Sequence, residues 1–191
     1  MLLFHKITEL AHHAVAPIIR AGDIVIDATA GNGFDTLFLA SKIGPEGRVY
    51  AFDVQEEALS RTADLLSAGN LGQYVSLIHA GHEKLKSYVS EQVSVVMYNL
   101  GYLPQSKSGL TTRLDNTLGS FEQALTLLKP GGVITMVLYP GHKEGKLEKE
   151  GLLPVFKGLP SSQYAVVYHK YLNKSNDPPE LVVIQKYSFS R

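Results

Sequence analysis

The 191-residue sequence predicts an α/β fold: a seven-stranded sheet, mostly parallel, ending in an antiparallel C-terminal hairpin and covered by helices on both faces. Three observations lead there. Apolar runs of strand length alternate with helical stretches as far as about residue 160, the pattern that lays parallel strands beneath crossover helices. Beyond that point two strand-like runs follow one another across the turn-rich Asn173-Lys174-Ser175-Asn176-Asp177-Pro178-Pro179, which reads as a hairpin. The length suits one domain, 1–191, able to bury a full core without disulfides, and the chain has no cysteine.

The elements follow in order. Residues 1–20 interleave apolar residues with His5, Lys6, Glu9, His12 and His13, giving an amphipathic helix over about 4–20. The same interleaving lacks the uninterrupted apolar stretch of a secretory signal, and no run approaches membrane-spanning length. A soluble cytoplasmic protein is expected. Strands are expected at about 23–28, 48–53, 74–79, 93–98 and 132–139, with helices between them at 35–43, 56–68, 82–90 and 115–128. A helix at 144–158 leads into the hairpin region, 160–191, with strands at 163–171 and 180–187. Residues 99–116 form a long connection of the kind that recognises a target.

Composition narrows the chemistry. Lysine plus arginine balances aspartate plus glutamate at 18 each, so no polyanionic partner is demanded by overall charge. A local basic face is still available from Lys143, Lys146, Lys149, Lys157, Lys170 and Lys174. Without cysteine there is no cysteine-ligated metal site and no thiolate nucleophile, which excludes the covalent route to pyrimidine C5 methylation. The histidines show no metal-ligand spacing, and no metal is expected.

The richest segment is Val25-Ile26-Asp27-Ala28-Thr29-Ala30-Gly31-Asn32-Gly33-Phe34-Asp35-Thr36, a buried strand, a glycine turn and a helix start. Glycines 31 and 33 allow close backbone approach to a ligand, and Asp53, at the end of the next strand, can accept two ribose hydroxyls. A nicotinamide-type G-x-G-x-x-G is broken by Thr36, and no Walker loop is present. The layout resembles that of the class I methyltransferases, which bind S-adenosylmethionine. The resemblance implies a cofactor site of Asp27, Gly31, Asn32, Gly33, Asp35, Thr36, Asp53, Gln55, Gly81, His82 and Asn99. Asp53 and Gln55 would hold the ribose and adenine edge. Asn32, Asp35 and Thr36 would reach the methionine part, where a carboxylate attracts the cationic sulfonium and ammonium. Gly81 and His82 would border the adenine. Asp35 can equally serve as a first-turn acid favoured by the helix dipole.

At the end of the fourth strand, Asn99-Leu100-Gly101-Tyr102 has the register of N-P-P-Y, found in methyltransferases that act on amino nitrogens. The Asn99 oxygen and the Leu100 carbonyl would orient the nitrogen lone pair, and Tyr102 would stack on a base. With Phe52-Asp53-Val54-Gln55, Thr111-Thr112 and Tyr139-Pro140-Gly141-His142, the chain resembles, end to end, the small bacterial rRNA-methylase family, similar to the tRNA 5-aminomethyl-2-thiouridine methyltransferases of Gram-positive bacteria. It departs from the usual pattern at Ala30 and at Gln105-Ser106-Lys107-Ser108. The resemblance implies S-adenosylmethionine-dependent transfer to the aminomethyl nitrogen of a tRNA wobble uridine. It implies Asn99, Tyr102, Tyr139 and His142 at the reacting nitrogen. Leu100, Gly101, Thr111, Thr112 and Arg113 would contact the substrate. The anticodon stem-loop is the expected partner, with a homodimer supplying further surface; the alternating Leu181, Val183 and Tyr187 of the last strand either offer that surface or face the core. Methylation of rRNA or of a small-molecule amine is a rival expectation. A noncatalytic S-adenosylmethionine-binding protein is another, at odds with the intact Asn99-Leu100-Gly101-Tyr102 motif.

Overall fold

The computed structural model describes residues 6–101 and 113–188. Its strands are β1 (Ile24–Asp27), β2 (Arg48–Asp53), β3 (Val75–His79), β4 (Val93–Asn99), β5 (Leu128–Leu138), β6 (Tyr164–His169) and β7 (Glu180–Lys186). They form one sheet in the order β3-β2-β1-β4-β5-β7-β6. Every pairing from β3 to β5 is parallel, and β7 runs antiparallel to both β5 and β6. The expected hairpin is present, but its second strand returns inside the first. Only β7 therefore runs against the sheet, and β6 forms the edge.

Side-chain alternation along the central strands divides the core into two layers. Ile26, Val96, Tyr98, Ile134, Met136, Val182 and Ile184 point to one face. They meet α4 (Leu85–Tyr88), α5 (Leu114–Leu127) and α6 (Lys143–Lys157) through Leu85, Phe121, Ala124, Leu152 and Phe156. Val25, Val95, Met97, Val133, Val137 and Leu181 point to the other. There they pack on α1 (Ile7–Val15) and α2 (Phe34–Ile43) through Ile7, Ala11, Val15, Leu39 and Ile43. The helix α3 (Glu56–Ala68) covers β2 and β3.

Four expectations change. The first helix is shorter than 4–20 and stops before Pro17, which has no N–H to extend the ladder. In place of a helix at 82–90 there is a 3-10 turn at His82–Lys84 and a four-residue α4, in a segment whose Ser87, Tyr88, Val89 and Ser90 are weak helix formers. β5 begins at Leu128 rather than 132, pairing with Val93 before a register shift; Pro130, Gly131 and Gly132 hide that start in the sequence. Leu181 is fully buried in the second core layer, so it offers no surface to a partner; the exposed apolar residues of this region are Val166, Val167 and Tyr168 on edge strand β6. Among the described residues no helix is long and apolar enough to cross a membrane.

Candidate active site

Strand order reverses between β1 and β4, and at that switch point the carboxyl ends of neighbouring strands leave a crevice. Here the crevice is a cavity of about 710 Å³, in the size range of small-molecule sites. Asp53 and Asn99, the last residues of β2 and β4, line it, as do the loop Ala28–Asn32 after β1 and Tyr139 just beyond β5.

The loop after β1 is held from both sides. Asp53 Oδ2 accepts from the Gly31 N–H at 2.9 Å, and its Oδ1 accepts from the Gln55 N–H at 2.9 Å. Gly33 starts α2 at φ +82°, and a Cβ there would lie 3.0 Å from Thr62 Cα on α3, so the position needs glycine for both conformation and space. Beneath the loop Asp27 is fully buried and accepts from Thr36 Oγ1 at 2.5 Å and the Thr29 N–H at 3.1 Å. Burial, with the neighbouring charge of Asp35, pushes the Asp27 carboxyl up to about 7.

On the β4–β5 side, the Thr29 hydroxyl oxygen accepts from the Asn99 N–H at 2.7 Å and so fixes the strand end. The Asn99 side chain is in hydrogen-bond contact with the Tyr139 hydroxyl. Burial first, and then Asp35, raise the Tyr139 phenol above its ordinary value, so it holds its proton near neutrality. Gly101, at φ +151°, brings bare backbone over the Tyr139 ring; a Cβ would meet that ring at 3.4 Å. On the opposite side His82 is buried edge-on to Tyr98. Burial lowers it to about 4, leaving a neutral imidazole whose Nδ1 has no hydrogen-bond partner among the described residues.

Gly31, Asn32, Asp35, Asp53, Gln55, Gly81, His82, Asn99, Leu100, Gly101, Arg113 and Tyr139 all border this one cavity. Four expected site residues stand behind it instead. Asp27, Gly33 and Thr36 form the support just described, and the Thr36 side chain turns inward to Asp27 rather than toward a ligand. His142 caps α6, its Nδ1 accepting from the Gly145 N–H at 3.1 Å, and does not line the cavity. Tyr102, Thr111 and Thr112 lie outside the described residues. Two lining residues carry contacts that the sequence did not show. Thr29 lies within the quoted motif, but its bond to Asn99 spans 70 residues. His12 Nε2 donates to Asp35 Oδ1 at 2.6 Å across 23 residues, a pairing without a local signal.

These features fit a nucleoside cofactor carrying a positive charge. The glycine loop gives close backbone approach, Asp53 retains acceptor capacity for hydroxyls, and the largely buried His82 borders the same cavity. Asp35 and Asp53 set negative charge around it. With the 3-2-1-4-5-7-6 sheet, they define a class I, Rossmann-like S-adenosylmethionine-dependent methyltransferase.

Comparison with known proteins carries this further. The family described as "Putative rRNA methylase" matches residues 49–185. The chain is 38% identical over 183 residues to the chloroplastic tRNA (mnm(5)s(2)U34)-methyltransferase of Arabidopsis thaliana, covering 91% of this chain and 67% of that one. It superposes with a TM-score of 0.91 on the crystal structure of a protein of the family's own description from Clostridium thermocellum, 40% identical over 94% of this chain and 96% of that one. A "putative methyltransferase" from Streptococcus mutans, solved with S-adenosylhomocysteine, matches at 35% identity and a TM-score of 0.87, covering 96% and 99%. The chain belongs to the rRNA-methylase family and is an S-adenosylmethionine-dependent methyltransferase.

Proposed function

We propose that this enzyme methylates the exocyclic aminomethyl nitrogen of 5-aminomethyl-2-thiouridine at the tRNA wobble position, giving 5-methylaminomethyl-2-thiouridine. The observation that carries this is the Asn99–Leu100–Gly101 strand end, clamped by Thr29 and facing the cavity beside Tyr139. It offers hydrogen-bond acceptors without a charged or thiolate nucleophile, which suits a reaction in which the substrate nitrogen is itself the nucleophile and is oriented by the protein. The name of the Arabidopsis thaliana relative supports the substrate.

S-adenosylmethionine supplies an activated methyl group on a sulfonium. The residues of this chain bind and orient. Asp53 and Gln55 take the ribose side, and Gly81 and His82 the adenine side. Asn32 and Asp35 take the methionine side. Asn99 and the Leu100 carbonyl hold the acceptor nitrogen in line with the methyl group. Arg113, exposed on the cavity rim, meets a phosphate. Tyr102, Thr111 and Thr112 complete target recognition in this reading. The enzyme acts in the cytoplasm as one methyltransferase domain and as a homodimer, with Val166, Val167 and Tyr168 of β6 supplying exposed apolar surface. Light scattering in solution tests the dimer. Among the described residues no group of three or more histidine or acidic side chains is placed to hold a metal, and the mechanism uses none.

The test is methyl transfer from labelled S-adenosylmethionine to bulk tRNA lacking the final wobble methyl, followed by nucleoside digestion and mass spectrometry. The expected product is 5-methylaminomethyl-2-thiouridine. A methyl on another nucleoside overturns the target; cofactor binding without RNA methylation moves the substrate to a small-molecule amine. Asn99→Ala is expected to abolish turnover while S-adenosylhomocysteine still binds, and unchanged turnover would remove Asn99 from the mechanism.

A further inference from the structure

An alkylamine is almost entirely protonated near neutrality and has no lone pair to offer until the proton leaves. The side chains at the Asn99 end of the cavity do not solve this. An amide cannot take a proton, and the Tyr139 phenol keeps its own. The side chain of His142 caps α6, away from the cavity. His82 lies beyond Asp53 on the β3 side.

His12 is placed differently. His12, on α1, borders the same cavity as Asn99 and Tyr139, and its partner Asp35 lies near enough to Tyr139 to raise that phenol. The His12 ring lies flat on Phe38, with centroids 3.9 Å apart and planes 2° from parallel, so its orientation is fixed. A carboxylate only accepts, so the 2.6 Å contact with Asp35 Oδ1 places the imidazole proton on Nε2. The basic lone pair is then on Nδ1, which has no hydrogen bond among the described residues. Asp35 is largely buried and also borders the cavity, so it is positioned to stabilise an imidazolium. Among the other charged or titratable groups bordering the cavity are Lys6, Glu9 and Arg113 at the rim and Tyr139 at the end of β5.

We propose that His12, oriented by Asp35, is the general base that removes the proton from the substrate ammonium. The inference rests on the amine-methylation reading above. In the step, the ammonium N–H bond breaks, its electron pair stays on nitrogen, and the proton moves to His12 Nδ1. The freed pair then forms the N–CH3 bond as the S–CH3 bond breaks and its electrons return to sulfur. The positive charge of the sulfonium ends on the secondary ammonium product, and His12 releases its proton to solvent.

The test compares wild type with His12→Gln, whose amide can still donate to Asp35 but cannot accept a proton, and with His12→Ala. Single-turnover methylation of tRNA carrying the aminomethyl group is measured from pH 7 to 9, with S-adenosylhomocysteine affinity by calorimetry. At pH 7 both variants are expected to lose on the order of 100-fold in rate, a usual contribution for a positioned base. The deficit is expected to shrink about tenfold per pH unit as the free amine becomes available from solution, with cofactor affinity within about twofold of wild type. Wild-type rates in His12→Gln, or a loss independent of pH, would overturn the role. So would a loss that tracks weakened cofactor binding, which would make the pair a cofactor contact. If wild type itself leaves the aminomethyl group unmethylated, it is the substrate assignment that fails.

Discussion

Asp27 permits a prediction whose size follows from its surroundings. The carboxyl is fully buried, and burial together with Asp35 raises it from 3.8 to about 7, although the Thr36 hydroxyl and Thr29 N–H favour the charged form. A folded-state value above the unfolded one means stability is fully present below about pH 4 and is lost as pH rises through 7. A gap of about three units corresponds to roughly 4 kcal/mol by pH 8, accumulating at about 1.4 kcal/mol per pH unit in between. Asp27→Asn removes that charge at nearly constant volume; its carbonyl accepts from Thr29, and the Thr36 hydroxyl can turn to accept from the new amide. Urea denaturation of the cofactor-free protein at pH 5, 6, 7 and 8 measures the difference. The variant is expected to gain on wild type by roughly 2 kcal/mol between pH 5 and 7, levelling off above pH 7. Parallel stability profiles would show that Asp27 is not held as an elevated acid and would refute the reasoning.

Gly33→Ala is expected to cost about 2 kcal/mol, the left-handed penalty plus displacement of α3 at Thr62, and so to lower Tm by about 4–8 °C in calorimetry. Cofactor affinity should fall with it, because the loop that α3 pins is the loop that Asp53 holds through Gly31. Thr29→Val keeps the shape but leaves the Asn99 N–H without its 2.7 Å acceptor. The rate of methylation is expected to fall about tenfold, the size of one lost buried hydrogen bond, while S-adenosylhomocysteine affinity by calorimetry is unchanged.

What each strand end carries was legible in the sequence because the α/β pattern itself puts strand ends at one crevice. Asp53, Asn99 and Tyr139 are each the last residue of an apolar run or the first beyond it, and all three border the cavity. Boundaries were less legible where local chemistry conflicts with tertiary pairing, as at Leu128, where strand pairing with Val93 overrides Pro130 and two glycines. The position of β7 between β5 and β6 was hidden for a related reason. A hairpin can be read from its turn, but the strand that joins the sheet is decided by which one buries both faces: Leu181, Val182 and Ile184 are buried in β7, whereas Val166, Val167 and Tyr168 of β6 are exposed.

The three acids of the site show where sequence spacing stops being informative. Sequence position sets Asp53, at the end of the second strand, apart from Asp27 and Asp35 in the first motif, but it does not show what each carboxylate bonds. The fold gives each a different environment. Asp53 bonds two backbone N–H groups and ties the glycine loop to β2. Asp27 points into the protein and is held by a hydroxyl and one N–H. Asp35 opens on the cavity with a histidine from a helix that precedes the whole sheet. The same residue type therefore serves as a backbone clamp, an elevated buried acid and a partner for a base. These differences arise from burial and from partners up to 23 residues away, so they become visible only once α1 and α2 are packed on one face of the sheet.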